Sequence, residues 1–515
     1  MSKAKILLAA LGAVLFMALA FLYTNYRSQQ PEDIIQLSPA EMSERVNELL
    51  RNFGFRDRPA ERWSEYTYEK AGDHDRVVRF VERQSLDHFQ AVIDGMTIEP
   101  ASGLAPGERR VVLDSKGRLV ELSVKFPKTY DSSEPATKFD WNAAFTAAGL
   151  DIAAFTPIDT AWTPNAAADS YAAWTGKSPD DPSVLLRVEA STFRGLLTNF
   201  LVVFPWNEPE QTRPAAPTTK DRLLISFSLV ALAAFLFLSV RLIWSRMAEP
   251  AGYVRSALLS ALFVFVPVLI GQISTTPQVA SFGPLLDRAL LATIIAFSSG
   301  ALAFLIYSAT ASDLSKYAKP LIASWQQVSS GHWFTRSVGN DVLSGVLFGT
   351  LIALVFALIA SPGAMPRMSF TEIGRLVVSP FGSTFLNVGW GILCAAVLFG
   401  SAGLLIVAFR RQLIANVLLF VLINTLNWFL TGSIDQHVVA LALIISFVAT
   451  RFGMLSTIAM AVVANVSVHA MLALHATATP TIAVTIALVA TAILLIVGVV
   501  FSVAAKDSNH KNGHA

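Results

Sequence analysis

Ten stretches of this 515-residue chain read as apolar segments of about membrane-spanning length, and a long polar block separates the first from the second. A run of about 20 apolar residues satisfies its backbone in lipid only as a helix, so the pattern constrains the fold before any motif is consulted. The segments lie at 6–23, 223–244, 256–273, 288–309, 342–361, 385–409, 412–430, 437–450, 454–474 and 481–503. The fold class they imply is a polytopic α-helical membrane protein of about ten transmembrane helices, with an extracytoplasmic α+β domain between helices 1 and 2. The organisation is an N-terminal anchor at 1–26, the extracytoplasmic domain at 27–221, a nine-helix membrane domain at 222–505 and a cytoplasmic tail at 506–515.

Loop charge sets the expected orientation, because short cytoplasmic loops are rich in Lys and Arg. With the N-terminus inside, thirteen bases fall in the cytoplasm: Lys3, Lys5, Arg241, Arg246, Arg255, Lys316, Lys319, Arg336, Arg410, Arg411, Arg451, Lys506 and Lys511. The opposite short loops hold three, Arg288, Arg367 and Arg375. Both termini are therefore placed inside a bacterial cytoplasmic membrane, with 27–221 outside. Segment 437–450 is short for a span, but leaving it out would put Arg451 outside.

Residues 27–222 hold 30 of the 37 acidic residues and 23 of the 39 basic ones. An acidic soluble block argues against nucleic acid or an anionic lipid surface as a partner of that block. The single cysteine, Cys394, excludes an intrachain disulfide. Within the block, Ser38-Pro39-Ala40-Glu41 is a capping box with proline at the first helical position, and Met42, Val46, Leu49 and Leu50 follow at helical spacing. A helix from Pro39 to about Asn52 is expected. Alternating stretches at 76–84, 88–99 and 109–126 follow, the last broken by a turn at Asp114-Ser115-Lys116-Gly117. A second unit repeats the order, with a short helix from Asp140 to about Gly149 and strands at 184–192 and 196–204 around Arg194-Gly195. Two similar units are expected, at about 38–130 and 139–206.

Polar side chains inside apolar segments are where membrane chemistry is sought, since they are costly in lipid. Here they are Asn387, Asn416, Asn424, Asn427, Asn465, His469 and, just beyond its segment, His475; the inventory contains no carboxylate, and Asn416, Asn424, Asn427, Asn465 and His469 are the nominated intramembrane set. Two histidines with no third ligand make a poor zinc site, so neither a metal nor a cofactor is expected, and no catalytic residue is nominated. Asparagines bonding between helices and a polar ligand or ion path are the two readings of this set. In the outer domain Trp141, Trp162, Trp174 and Trp206 are the aromatics nominated to line a site for an unknown extracytoplasmic ligand. The loop 311–341 carries Tyr317, Leu321, Trp325 and Val328 at near-helical spacing, which suits an interfacial amphipathic helix or a docking surface for a protein partner.

At Ala173-Trp174-Thr175-Gly176, Arg187-Val188-Glu189-Ala190, Phe204-Pro205-Trp206, Pro320-Leu321-Ile322-Ala323-Ser324-Trp325 and Val338-Gly339-Asn340-Asp341-Val342-Leu343 the chain resembles a known arrangement. It is similar to the extracytoplasmic and membrane portion attached C-terminally to Ser/Thr protein kinase domains in some bacterial proteins. Similar outer regions precede CAAX-type (CPBP) membrane proteases, whose Glu-Glu-x-x-x-Arg signature is missing here, as are the glycine-rich loop and Asp-Phe-Gly of a kinase. The resemblance implies a sensor or scaffold module without its output domain; the leading reading is a non-enzymatic receptor-like, sensor or scaffold protein, with a transporter or permease as the alternative and a degenerate intramembrane protease homologue third.

Overall fold

The computed structural model describes residues 2–28, 37–71, 75–89, 91–94, 97–100, 103–127, 139–163, 167–207, 251–275, 278–279, 282–359, 379–431, 436–476 and 481–504. The segment expected at 223–244 and the tail 506–515 lie outside the described residues.

The polar block builds its sheet on two capped helices. In α2, Pro39–Asn52, the Ser38 hydroxyl accepts the Glu41 N–H at 3.3 Å and the Glu41 carboxylate accepts the Ser38 N–H at 2.7 Å. These bonds satisfy donors that the first turn of a helix would leave orphaned. In α3, Trp141–Ala147, Asp140 caps the Asn142 N–H. The strands are β1 Glu61–Ala71, β2 Asp75–Ser85, β3 Ala91–Asp94, β4 Thr97–Pro100, β5 Glu108–Asp114, β6 Leu119–Val124, β7 Thr156–Ile158, β8 Ser170–Lys177, β9 Leu185–Phe193 and β10 Leu196–Val203. A two-residue strand, β11 Gln278–Val279, comes from the helical part of the chain. All pair antiparallel, in the order β11-β1-β2-β5-β6-β10-β9-β8-β7, with β3 and β4 forming a separate hairpin where one strand over 88–99 is expected. The order is mirrored about the β6–β10 seam, so the expected units at 38–130 and 139–206 share one sheet. They also share one core: Met42, Val46 and Leu50 of α2 and Ala144 and Phe145 of α3 pack with Tyr66, Phe80, Leu122, Trp174 and Phe200. The β9–β10 turn is a two-residue loop with positive φ at both Arg194 (51°) and Gly195 (78°), the conformation whose twist matches flanking strands.

The rest is helical: α1 Lys3–Ser28, α4 Ala251–Thr275, α5 Phe282–Tyr317, α6 Pro320–Ser329, α7 Arg336–Ile359, α8 Pro380–Phe409, α9 Gln412–Thr431, α10 Gln436–Arg451, α11 Met454–Ala476 and α12 Thr481–Ala504. Seven of these, α1, α4, α5, α7, α8, α11 and α12, are long and apolar enough to cross a membrane. Two shorter apolar helices, Gln412–Asn427 and Val438–Arg451, lie within α9 and α10. The bundle is thus compatible with a polytopic membrane protein.

Contacts fix the relative directions of the helices. Ile6 and Ala9 of α1 cluster with Leu343, and Ala20 clusters with Ala353 and Ala357, so α1 and α7 run parallel. Gly345 meets Ala459 and Gly349 meets Val463, so α11 is also parallel to α7. Gly339 meets Ser502 while Gly498 meets Leu343, so α12 runs against it. Parallel α7 and α11 require an odd number of crossing helices between them, and among the described residues α8, α9 and α10 supply it only if the short α10 is counted.

Candidate functional site

Strand β11 belongs to the connection between α4 and α5, yet it completes the edge of the sheet, with Val279 opposite Glu61 and Gln278 opposite Arg62. The sheet is therefore stitched to one end of the bundle at the start of β1. Register carries that row across the sheet: Glu61 lies opposite Ser85, and Ser85 opposite Glu108.

Around this row sits a cluster of buried charge. The Glu61 carboxylate, 1% exposed, accepts the Phe89 N–H at 2.9 Å and stands 2.8 Å from His88 Nδ1. Arg83 and Glu108 form a buried ion pair; Arg83 also donates to the Gly103 carbonyl at 2.8 Å and lies 5.4 Å over the Phe89 ring. Arg109 pairs with Asp57 at 2.9 Å and lies 4.8 Å over Phe55. A buried pair such as Arg83–Glu108 contributes little net stability against apolar packing, but loss of one partner strands the other charge, whereas Asp57 of the Arg109 pair is largely exposed.

Glu82 stands apart within this cluster. Gln84 Nε2 donates to its Oε1 at 2.7 Å, whereas its Oε2 is buried with no hydrogen-bond partner among the described residues. Burial pushes its carboxyl above the usual range, with Gln84, Ser43 and Arg62 opposing. A carboxyl whose folded pKa is raised favours the fold while neutral, and that contribution is lost as pH rises through the folded value. Glu82→Gln removes the titration, so its melting temperature relative to the parent protein should climb from about pH 4 to pH 7. Parallel melting curves across that range would show Glu82 equally ionised in both states.

The four nominated tryptophans occupy three places. Trp141 and Trp174 pack edge to face at 5.5 Å, and Trp174 lies against Phe145 in the core. Trp206 stacks on Phe204 at 5.0 Å with Arg79 5.3 Å over the same ring, and its Nε1 is buried without a hydrogen-bond partner among the described residues. Trp162 is half-buried on the loop before β8.

The nominated intramembrane residues also separate. Asn416 donates to Thr450 at 3.2 Å and accepts from Ser446 at 3.4 Å, joining α9 to α10. Asn424 turns back to the Phe420 carbonyl, and Asn427 is half-buried further along α9. Asn465 bonds the Ala461 carbonyl and fills the space beside Gly391, where a Cβ would stand 2.4 Å from its Nδ2. His469 is 3% exposed; its Nδ1 lies 2.8 Å from the Asn465 carbonyl and so carries the hydrogen, leaving Nε2 buried without a hydrogen-bond partner among the described residues. Among the described residues no group of three His, Cys, Asp or Glu side chains is placed to hold a metal ion.

At the end of the bundle opposite β11 lies a polar knot that hydropathy conceals. Trp325 of α6 is 1% exposed and donates from Nε1 to the Ser256 carbonyl of α4 at 3.2 Å, with Phe263 edge-on at 5.4 Å. The Ser256 and Ser329 hydroxyls bond to each other, and Ser324 donates to the Asp341 carboxylate of α7. Thr335 and Ser337 both donate to Gln327 Oε1. Asp341 corrects the expectation of spans without carboxylates: α7 begins at Arg336, and α5, which holds Asp313, runs on to Tyr317. Both aspartates fall inside stretches long and apolar enough to cross a membrane. Hydropathy ends a segment at its polar residues, whereas the helix runs through Asp341, whose half-buried carboxyl accepts a hydrogen bond from Ser324. Within 311–341, Leu321, Ile322, Ser324 and Trp325 are buried inside the bundle, which also corrects the expectation of a helix lying on an interface. Lys316, Tyr317, Lys319, His332, Trp333 and Phe334 remain exposed.

The fold and these contacts define a helical bundle, suited to a membrane, with a sheet domain stitched to one of its ends. No protein-family model, curated protein or solved structure matches the chain.

Proposed function

We propose that the chain is a receptor-like relay of the bacterial cytoplasmic membrane, non-enzymatic, with the sheet domain outside the cell and both termini in the cytoplasm. One observation carries this reading. The α4–α5 hairpin is held at one end by β11 on the edge of the sheet, and at the other by Ser256 of α4 beneath Trp325. A ligand or protein partner that shifts the sheet domain thus has a continuous lever to α6 on the far side. The orientation rests on charge: the helix directions bring Lys3, Lys5, Lys316, Lys319, Arg336, Arg410, Arg411 and Arg451 to the end opposite the sheet, where the basic cytoplasmic loops of membrane proteins lie.

The test releases the lever and reads the far end. Gln278→Pro and Val279→Pro together remove the donors of β11. A cysteine at exposed Ser330, with Cys394 replaced by alanine, then reports on the end of α6. Coupling of about 1 kcal/mol changes its labelling rate about fivefold in the proline variant. An unchanged rate, with the sheet domain still folded by circular dichroism, defeats the relay and leaves the sheet domain a passive attachment.

A further inference from the structure

The corner where α5, α8 and α9 meet, opposite the sheet, has a composition that the relay does not use. Arg410 follows α8 as its C-cap and adopts the left-handed conformation, φ 53° and ψ 21°, that glycine usually supplies. A non-glycine residue there is strained, and such strain persists only where the surrounding structure holds it. The Arg410 guanidinium is held 5.3 Å over the Tyr317 ring at the end of α5, a contact that orients the cation without neutralising it. Arg411, Lys316 and Lys319 are exposed beside it, and none of the four bases has a carboxylate within ion-pair distance among the described residues. Asp313, one turn back on α5, is half-buried and has a partner of its own. Flanking the bases, Phe409 is 49% exposed and Leu413 77% exposed, so the apolar wall of the bundle begins where the charge ends.

We propose that this corner binds an anionic phospholipid, its phosphate between Arg410, Arg411 and Lys316 and its acyl chains against Phe409 and Leu413. General enrichment of bases at one end of a bundle explains their number, but not why an arginine holds a glycine's backbone conformation.

The experiment uses the full chain in nanodiscs of phosphatidylcholine, with and without phosphatidylglycerol, reading melting temperature and the phosphatidylglycerol retained in native mass spectra. In phosphatidylcholine alone Arg410→Gly should melt above the parent protein, because the strain is relieved. Added phosphatidylglycerol should stabilise the parent and leave Arg410→Gly behind. Arg411→Ala with Lys316→Ala should retain the lipid less tightly by about fivefold per base removed. The proposal is overturned if phosphatidylglycerol stabilises all three proteins equally, or if Arg410→Gly melts below the parent in phosphatidylcholine. It is overturned too if inorganic phosphate reproduces the gain, since the corner would then be a site for free phosphate.

Discussion

Gly345→Ala with Gly349→Ala is expected to open the seam between α7 and α11 and to cost about 3 kcal/mol. A Cβ at residue 345 would stand 2.5 Å from the Ser456 carbonyl oxygen and 2.6 Å from Ala459 Cβ; at 349 it would stand 2.8 Å from Val463 Cβ and 2.9 Å from the Met460 carbonyl oxygen. Two of these are backbone atoms of a rigid helix, so no side chain can swing aside and the helices themselves must part. Lipid offers no hydrophobic drive to hold them, and close packing of small residues is what such helices depend on. The check is an SDS titration of the purified protein, with Gly12→Ala as comparison. There the added Cβ would meet only the Leu347 side-chain tip at 3.2 Å, so the loss should be much smaller. Equal losses in the two variants would show that α7 and α11 do not depend on this close approach.

That seam is also a measure of what the sequence makes legible. Gly345 and Gly349 are spaced by four, the small-x-x-x-small signal of close helix approach that the chain carries in its sequence. Periodicity and capping made α2 plain: Pro39–Asn52 is helical, and Met42, Val46, Leu49 and Leu50 are its buried residues. Strand β1 escapes the pattern because Glu61, Arg62, Glu65, Glu69 and Lys70 make it read as a charged surface, whereas Glu61 is satisfied by His88 and the Phe89 N–H. No local pattern announces such a pairing, since Phe89 lies 28 residues away. Strand β11 is two residues long and gains its meaning only from β1.

The candidate site was less legible for a related reason. Composition points to isolated polar residues in apolar segments, and so to Asn416 and His469, but these are largely occupied, Asn416 by a bond to Thr450 of the next helix and His469 by the Asn465 carbonyl one turn back. The knot around Trp325 joins residues of α4, α6 and α7 that each look ordinary alone. Hydropathy places Asp341 in a loop because it averages over a window, and one carboxylate beside Asn340 is enough to move the boundary past it.

The largest single loss is expected for Phe145→Ala, at about 3–5 kcal/mol. Phe145 is 0% exposed, and its ring packs edge to face on Trp174 at 5.1 Å and Phe155 at 5.3 Å, with Phe200 at 6.1 Å. Truncation leaves a cavity bounded by aromatic rings fixed in strands, and a cavity that cannot collapse costs both the lost transfer energy and the lost contacts. Its reach distinguishes one core from two. The core around Phe145 also contains Met42, Val46 and Leu50 of α2, and β6 hydrogen-bonds to β10 across the middle of the sheet. Hydrogen exchange on the full chain should therefore show protection falling in α2 and β2 as well as in α3 and β8–β10. Protection lost in 139–206 alone, with α2 unchanged, would mean that the two halves of the sheet are stabilised separately in spite of the core they share.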